Sequence, residues 1–223
     1  MFTKKWFFDL DKQLRNHGLD SDSKTFDEIR HDLQNKKILS PDEFAYDAAY
    51  VILAGGFSQK TAKIKHAAII KYLKKTGKLA KQEDLLAIFN NKNKMGAILK
   101  IWQNRAVYTD GYYTCTDLGA RLAYLASLPH IGKITANHMA RNLGENVVKY
   151  DIWIQRLGVQ FAHQNADGNL ESRINNKALD VAVRTVCDEM FVHLENVTGL
   201  PRGYIDVVLW KAAQNKLISM DKK

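Results

Sequence analysis

The side chains of this chain that could do chemistry concentrate between positions 129 and 156: His130, Lys133, Lys149, Asp151, Trp153 and Arg156. Asp151 precedes an amphipathic run, Ile152-Trp153-Ile154-Gln155-Arg156-Leu157, which sets its carboxylate at a helix start. Asp is favoured there as an N-cap, so the plain reading is structural. A carboxylate fixed in that position can also stabilise developing positive charge or take a proton from water, and the two roles are compatible. Upstream, Leu128-Pro129-His130-Ile131-Gly132-Lys133-Ile134-Thr135-Ala136 reads as a tight turn between two helices. Pro129 sets φ for the turn. Gly132 lets the backbone approach a ligand with no Cβ in the way. The N–H groups of the turn and of the second helix's first residues would then point outward together, which suits a phosphate oxygen.

Helices must position these groups, and the chain reads as a series of them. Ser40-Pro41-Asp42-Glu43 is a capping box with proline at the first helical position. It opens a helix with an apolar face of Phe44, Ala45, Ala48, Ala49, Val51 and Ile52, stopped by Gly55-Gly56. Thr25 to Glu28 is a second capping box, before a short helix through Leu33. A helix over 61–75 should bury Ile64, Ala68, Ile69, Tyr72 and Leu73, and leave Lys63, Lys65, Lys71, Lys74 and Lys75 solvated. Further helices are expected over 82–89, 94–105, a stretch capped by Thr116 and running to Leu128, 134–142, 151–163, 176–194 and 204–216. Tyr112 and Tyr113 are expected in a connection, and 164–175 is the most loop-like stretch. Alternating strand patterns are scarce, so the fold class is all-α.

The turn and the Asp together resemble the helix-hairpin-helix DNA glycosylase superfamily. LPHIGKITA is similar to that family's LPGVGxKTA hairpin, and Val147-Val148-Lys149-Tyr150-Asp151 falls where the family has a short strand-like stretch and a characteristic Asp. AYVILAGGFSQKTA falls at the family's loop that wedges into the duplex, and GYIDVVLWKAA at its last helix. The resemblance implies two helical lobes, with 41–144 bearing the hairpin (about 117–142), 1–40 packing with 145–223, and a cleft between them. It implies Asp151 as the catalytic residue. Pro129, His130, Ile131, Gly132, Lys133, Thr135 and Gln59 would contact DNA, and Tyr112, Tyr113, Lys149, Trp153 and Arg156 would line a base or pyrophosphate pocket. Read from the residues alone, Tyr112 and Tyr113 suit a core edge, Trp153 suits packing, His130 suits a turn or phosphate contact, and Asp206 suits a structural hydrogen bond.

Two departures from the family pattern shape the expected chemistry. The hairpin lysine that forms a Schiff base in bifunctional members is Ile134 here, and Lys133 lies about 100° away around a helix. The four-cysteine iron–sulfur loop is absent: Cys115 and Cys187 are the chain's cysteines. Both departures favour a monofunctional member without metal or other cofactor. Within the superfamily, IGKITANHMARNLG…VVKYD resembles a bacteriophage group associated with thymine hypermodification, the α-glutamyl/putrescinyl-thymine pyrophosphorylase-like and amino acid:DNA transferase proteins. That resemblance implies joining an amino acid or polyamine to pyrophosphorylated hydroxymethyl-uracil in double-stranded DNA. Two other readings stand beside it, hydrolytic excision of a modified base and a catalytically silent DNA-binding module. Both catalytic readings require the target nucleotide to leave the stack.

Bulk properties agree with a polyanion partner. The 223 residues carry a formal charge of +9, with 46% hydrophobic and 26% charged residues. No run approaches the roughly 18 apolar residues of a membrane helix, and the N-terminal apolar run is closed too soon by acids to be a secretory signal. The expectation is a monomer in the cytoplasm, that of a bacterial host if phage-encoded.

Overall fold

The computed structural model describes residues 1–36, 38–164, 170–175 and 178–219. In chain order its α-helices are α1 (Lys4–Asn16), α2 (Phe26–Asn35), α3 (Pro41–Ala54), α4 (Gln59–Thr76), α5 (Gln82–Ile88), α6 (Lys92–Gln103), α7 (Arg105–Tyr113), α8 (Leu118–Ser127), α9 (Lys133–Asn142), α10 (Ile152–His163), α11 (Val181–Thr198) and α12 (Arg202–Gln214). Among the described residues there is no strand, only an isolated bridge between Ser21 and Thr25. The chain is all-α. No helix of the described residues is long and apolar enough to cross a membrane.

The chain forms two compact units, Lys36–Glu145 and Met1–Asn35 with Asn146–Lys223. The first is built around α3, whose residues from Phe44 to Leu53 are buried apart from Tyr46 and Asp47. Helices α4, α6, α7 and α9 pack around it. The second unit is built around α12, buried continuously from Gly203 to Ala213 and packed by α1, α2, α10 and α11. A helix apolar all round is stable only when wrapped by others. Helix α10 crosses α11 closely: a Cβ on Gly158 would overlap Cys187 Sγ and come within 3.0 Å of its backbone. Burial also pushes the Cys187 thiol up to about 12, so this cysteine is a packing group.

Local signals fixed most helix starts. Both capping boxes form: Ser40 with Glu43, and Thr25 with Glu28. Several expectations need correction. Helix α4 begins at Gln59, because Ser58 and not a later residue supplies the N-cap, accepting from Thr61 N–H. On α4, Ile64 is 60% exposed and Ala68 is exposed too; burial falls on Ala62, Ile69 and Leu73. Lys65 is not fully solvated, since its ammonium donates to Ile88 O. Asp117, not Thr116, caps α8, its carboxylate accepting from Ala120 N–H. Tyr112 and Tyr113 end helix α7 and do not lie in a connection. Asn91 caps α6, which therefore starts at Lys92. Asp180 caps α11 through two amides, so that helix starts at Val181 and runs on to Thr198. Of the expected 176–194 helix, 176 and 177 lie outside the described residues, as do 165–169 of the expected loop, which also contains a short 3-10 turn at Glu171–Arg173.

Candidate active site

In the unit around α12, the segment 147–151 leads into α10 without forming a strand. Val147, Val148 and Tyr150 are buried, which anchors the segment, while Lys149 and Asp151 are partly exposed. Three more contacts fix it. Lys149 N–H donates to Asp206 Oδ2 at 3.2 Å from the buried face of α12. Tyr150 O–H donates to Asp188 on α11. Gln155, fully buried, donates to Tyr150 O at 3.0 Å and to Asn175 O at 2.9 Å. Asp206, expected as a structural hydrogen-bonding acid, thus holds the backbone beside the carboxylate.

Asp151 is the N-cap of α10. Its Oδ1 accepts from Trp153 N–H at 3.0 Å and from Ile154 N–H at 3.3 Å. Its Oδ2 lies 3.4 Å from Lys149 Nζ, with side-chain exposures of 18% for the lysine and 16% for the aspartate. The Asp151 N–H donates to Lys149 O at 2.7 Å, a three-residue turn that sets side chains two positions apart next to each other. The Lys149 ammonium also lies over the Trp210 ring, 5.3 Å from its centroid, with Lys211 Nζ 5.7 Å from the same ring.

In the other unit, α8 and α9 form the hairpin. Leu128, Pro129, His130 and Ile131 make a tight turn in which Ile131 N–H donates to Leu128 O at 3.1 Å. Proline followed by a residue at positive φ is the type II pattern, and His130 takes φ 62 where glycine is favoured. Ile131 is buried and its N–H is used inside the turn, so neither its side chain nor its amide faces outward, a correction to its expected DNA contact. Gly132 is exposed at the N-cap of α9, with no side-chain cap, and a Cβ there would meet nothing within 4 Å. Its φ of −93° suits any residue. Lys133 is exposed and Thr135 half-buried in the first turn of α9, beside Ile134, also half-buried. The hairpin therefore presents the α9 N-terminus, Lys133 and His130 to solvent.

A buried lysine supports this face. Lys94, on α6, donates to Gly55 O at 2.5 Å and Leu53 O at 3.4 Å, and its ammonium lies 4.6 Å from the Phe57 ring centroid. Desolvation pushes Lys94 down to about 8. Burial and the Lys94 charge hold His130 below the usual imidazole range.

The remaining candidates are distributed unevenly. Gln59 lies in the first turn of α4 instead of the preceding loop, whose exposed aromatic is Phe57, 42% exposed. Tyr112 is buried, with its hydroxyl donating to Glu145 at 3.3 Å, and so does not offer a face to a base. The Tyr113 hydroxyl accepts from Leu39 N–H. Both tyrosines bind core edges, as their residue type alone suggested. Trp153 is half-buried beneath the exposed Arg156 guanidinium, which lies 5.4 Å from its ring centroid. Sequence reasoning missed Trp210 beside Lys149, with Lys211 on the same ring, and Lys94 near His130, with Phe57 beside that lysine. A tryptophan next to a lysine in a mostly apolar helix was the available signal for the first pair. The glycine pair before Phe57 was a signal for the last.

No protein-family model matches the chain, and no curated protein matches it. Solved structures do. The 8-oxoguanine glycosylase/lyase of Methanocaldococcus jannaschii, in complex with a 15mer DNA containing 8-oxoguanine, superposes with a TM-score of 0.62 at 17% identity, covering 96% of this chain and all of that one. A second structure of the glycosylase from that organism gives 0.63 at 15% identity, over 97% of this chain and 95% of its own. The 8-oxoguanine DNA glycosylase of Thermotoga maritima gives 0.64 at 15% identity, over 98% and 97%. The chain has the helical fold of these DNA glycosylases, with a helix-hairpin-helix.

Proposed function

We propose that this protein is a DNA glycosylase that hydrolyses the N-glycosidic bond of a modified base in double-stranded DNA, with Asp151 as its catalytic carboxylate. The observation that carries this reading is the placing of Asp151. It stands at the start of α10, its charge supported by two backbone N–H groups, in a chain whose fold matches glycosylases over nearly its whole length. Loss of the base leaves positive charge on the deoxyribose, and a carboxylate near C1′ stabilises that state and deprotonates the attacking water. The hairpin of the other unit supplies backbone amides and Lys133 for a phosphate, contacts that position DNA without reading its sequence. Ile134 at the hairpin lysine position favours hydrolysis without strand cleavage.

The fold likeness favours base excision over the amine transfer suggested by the spelling of 131–151. That spelling remains the observation behind the second reading, in which a flipped, pyrophosphorylated hydroxymethyl-uracil receives an amino acid or polyamine. One experiment separates them. Duplexes bearing 8-oxoguanine, uracil, hypoxanthine or 5-hydroxymethyluracil are scored for free base. A duplex bearing pyrophosphorylated hydroxymethyl-uracil, with amino acids and polyamines, is scored for pyrophosphate and a new base mass. Free base from the first set is the expected result; an amine adduct with the glycosidic bond intact would replace this reading by the second.

A further inference from the structure

The two α10 amides already hold Asp151 Oδ1. Yet the structure spends several contacts on keeping an ammonium 3.4 Å from Oδ2: the three-residue turn, the Asp206 hydrogen bond to the Lys149 amide, and the face of Trp210 under Nζ. Both side chains are mostly buried, so the charges are poorly screened. The result is a fixed pair of opposite charges whose negative end is the carboxylate assigned to C1′.

Glycosidic scission needs such a pair. As the C1′–N bond breaks, positive charge grows on the sugar and negative charge on the departing base. A carboxylate alone answers one end.

We infer that Lys149 is a second catalytic residue, whose ammonium stabilises and protonates the departing base while Asp151 serves the sugar. The inference rests on the base-excision reading. The C1′–N electron pair leaves with the base nitrogen, which takes a proton from the Lys149 ammonium. Water attacks C1′ and gives its proton to the Asp151 carboxylate. The products are the neutral base and an abasic sugar, and the enzyme is left with a carboxylic acid beside a neutral amine. One proton passed from Asp151 to Lys149 restores both charges, so the contact that aligns the pair also resets it. Trp210 gives the ammonium an aromatic face to rest on and limits its motion.

The test is single-turnover base release by wild type, Lys149→Met and Lys149→Arg. Each is assayed on the base that the wild type removes and on an activated analogue whose departure needs little acid help (5-fluoro for a pyrimidine, N7-methyl for a purine). Lys149→Met should slow release of the parent base by on the order of 10²-fold, within the range of general acid catalysis, and slow the analogue less than tenfold. Lys149→Arg, which keeps the charge but gives up no proton, should fall between the two. Melting temperature and DNA affinity are followed for each variant. Equal losses on parent and analogue would reduce Lys149 to a structural partner of Asp151 and overturn the inference while leaving base excision standing. No loss would overturn it as well. Absence of base release by the wild type on every substrate would instead remove the glycosylase reading, and this inference with it.

Discussion

Replacing Asp151 with Asn tests the proposed assignment, because the substitution keeps the cap and removes the charge. Oδ1 accepts both α10 amides, and an asparagine oxygen can do the same. Asn and Asp are equally good N-caps, so the cap survives. What is lost is the negative charge and with it the Lys149 contact at 3.4 Å. The pair is mostly buried, so removing one partner costs more than an exposed pair's contribution of about 1 kcal/mol, and up to about 3–5 kcal/mol, the cost for a fully buried one. Each kcal/mol lowers the melting temperature of a chain of this size by about 2–4 °C. Removing one electrostatic stabiliser of a charged transition state costs about 2.7–4 kcal/mol, a fall of 10²–10³ in rate. The expected result is therefore a folded, DNA-binding protein that has lost at least about a hundredfold in single-turnover base release. Asp151→Ala should be equally inactive but about a further 1 kcal/mol less stable, since it loses the cap as well. The assay is free-base release under single turnover, with urea unfolding run in parallel. Full activity in Asp151→Asn would refute the assignment, and so would a rate loss no larger than the stability loss predicts.

Gly132→Val should weaken affinity for random duplex and flatten its dependence on salt, while costing about 1 kcal/mol or less of stability, because a Cβ there meets nothing within 4 Å; fluorescence anisotropy across a salt series checks this. His130→Gly should raise stability by about 0.5–1 kcal/mol, the relief of a left-handed non-glycine residue less the entropy of glycine. The lowered His130 value means that the unfolded chain binds a proton near 6.5 before the folded one does, so this gain should grow as pH falls below 6.5, which urea midpoints at several pH values will show. Lys94 is pushed down to about 8 from 10.5, so the native state sheds its proton first and wild-type stability should rise relative to Lys94→Met as pH increases between those values; a flat difference would contradict the burial of its ammonium. Gly158→Ala should destabilise by about 1–3 kcal/mol through overpacking against Cys187, measured by chemical denaturation.

Local chemistry made much of this legible. The capping boxes at Thr25 and Ser40, the proline turn at 129 and the Asp before Ile152 are set by hydrogen bonds within a few residues, and each forms at the place where its residues occur. Where a boundary shifted, a competing polar residue one to five positions away took the cap, as Ser58, Asp117 and Asp180 did. Periodicity was weaker on α4, because Ile64 and Ala68 sit among lysines on an exposed face.

The sequence by itself determined the helical class, the hairpin and the carboxylate at a helix start, since all three follow from short-range capping, turn preference and apolar spacing. Only the tertiary structure decided the surroundings of that carboxylate. Trp210 and Asp206 reach Lys149 from a helix more than fifty positions away, with Lys211 beside the same Trp210 ring, and Lys94 reaches the carbonyls of 53 and 55 from α6. The same holds for the exclusion of Tyr112, whose burial depends on α3 and Glu145 packing over it. Contacts between distant segments depend on how helices pack, and neither the spacing of residues along one helix nor the preference of one turn encodes that packing.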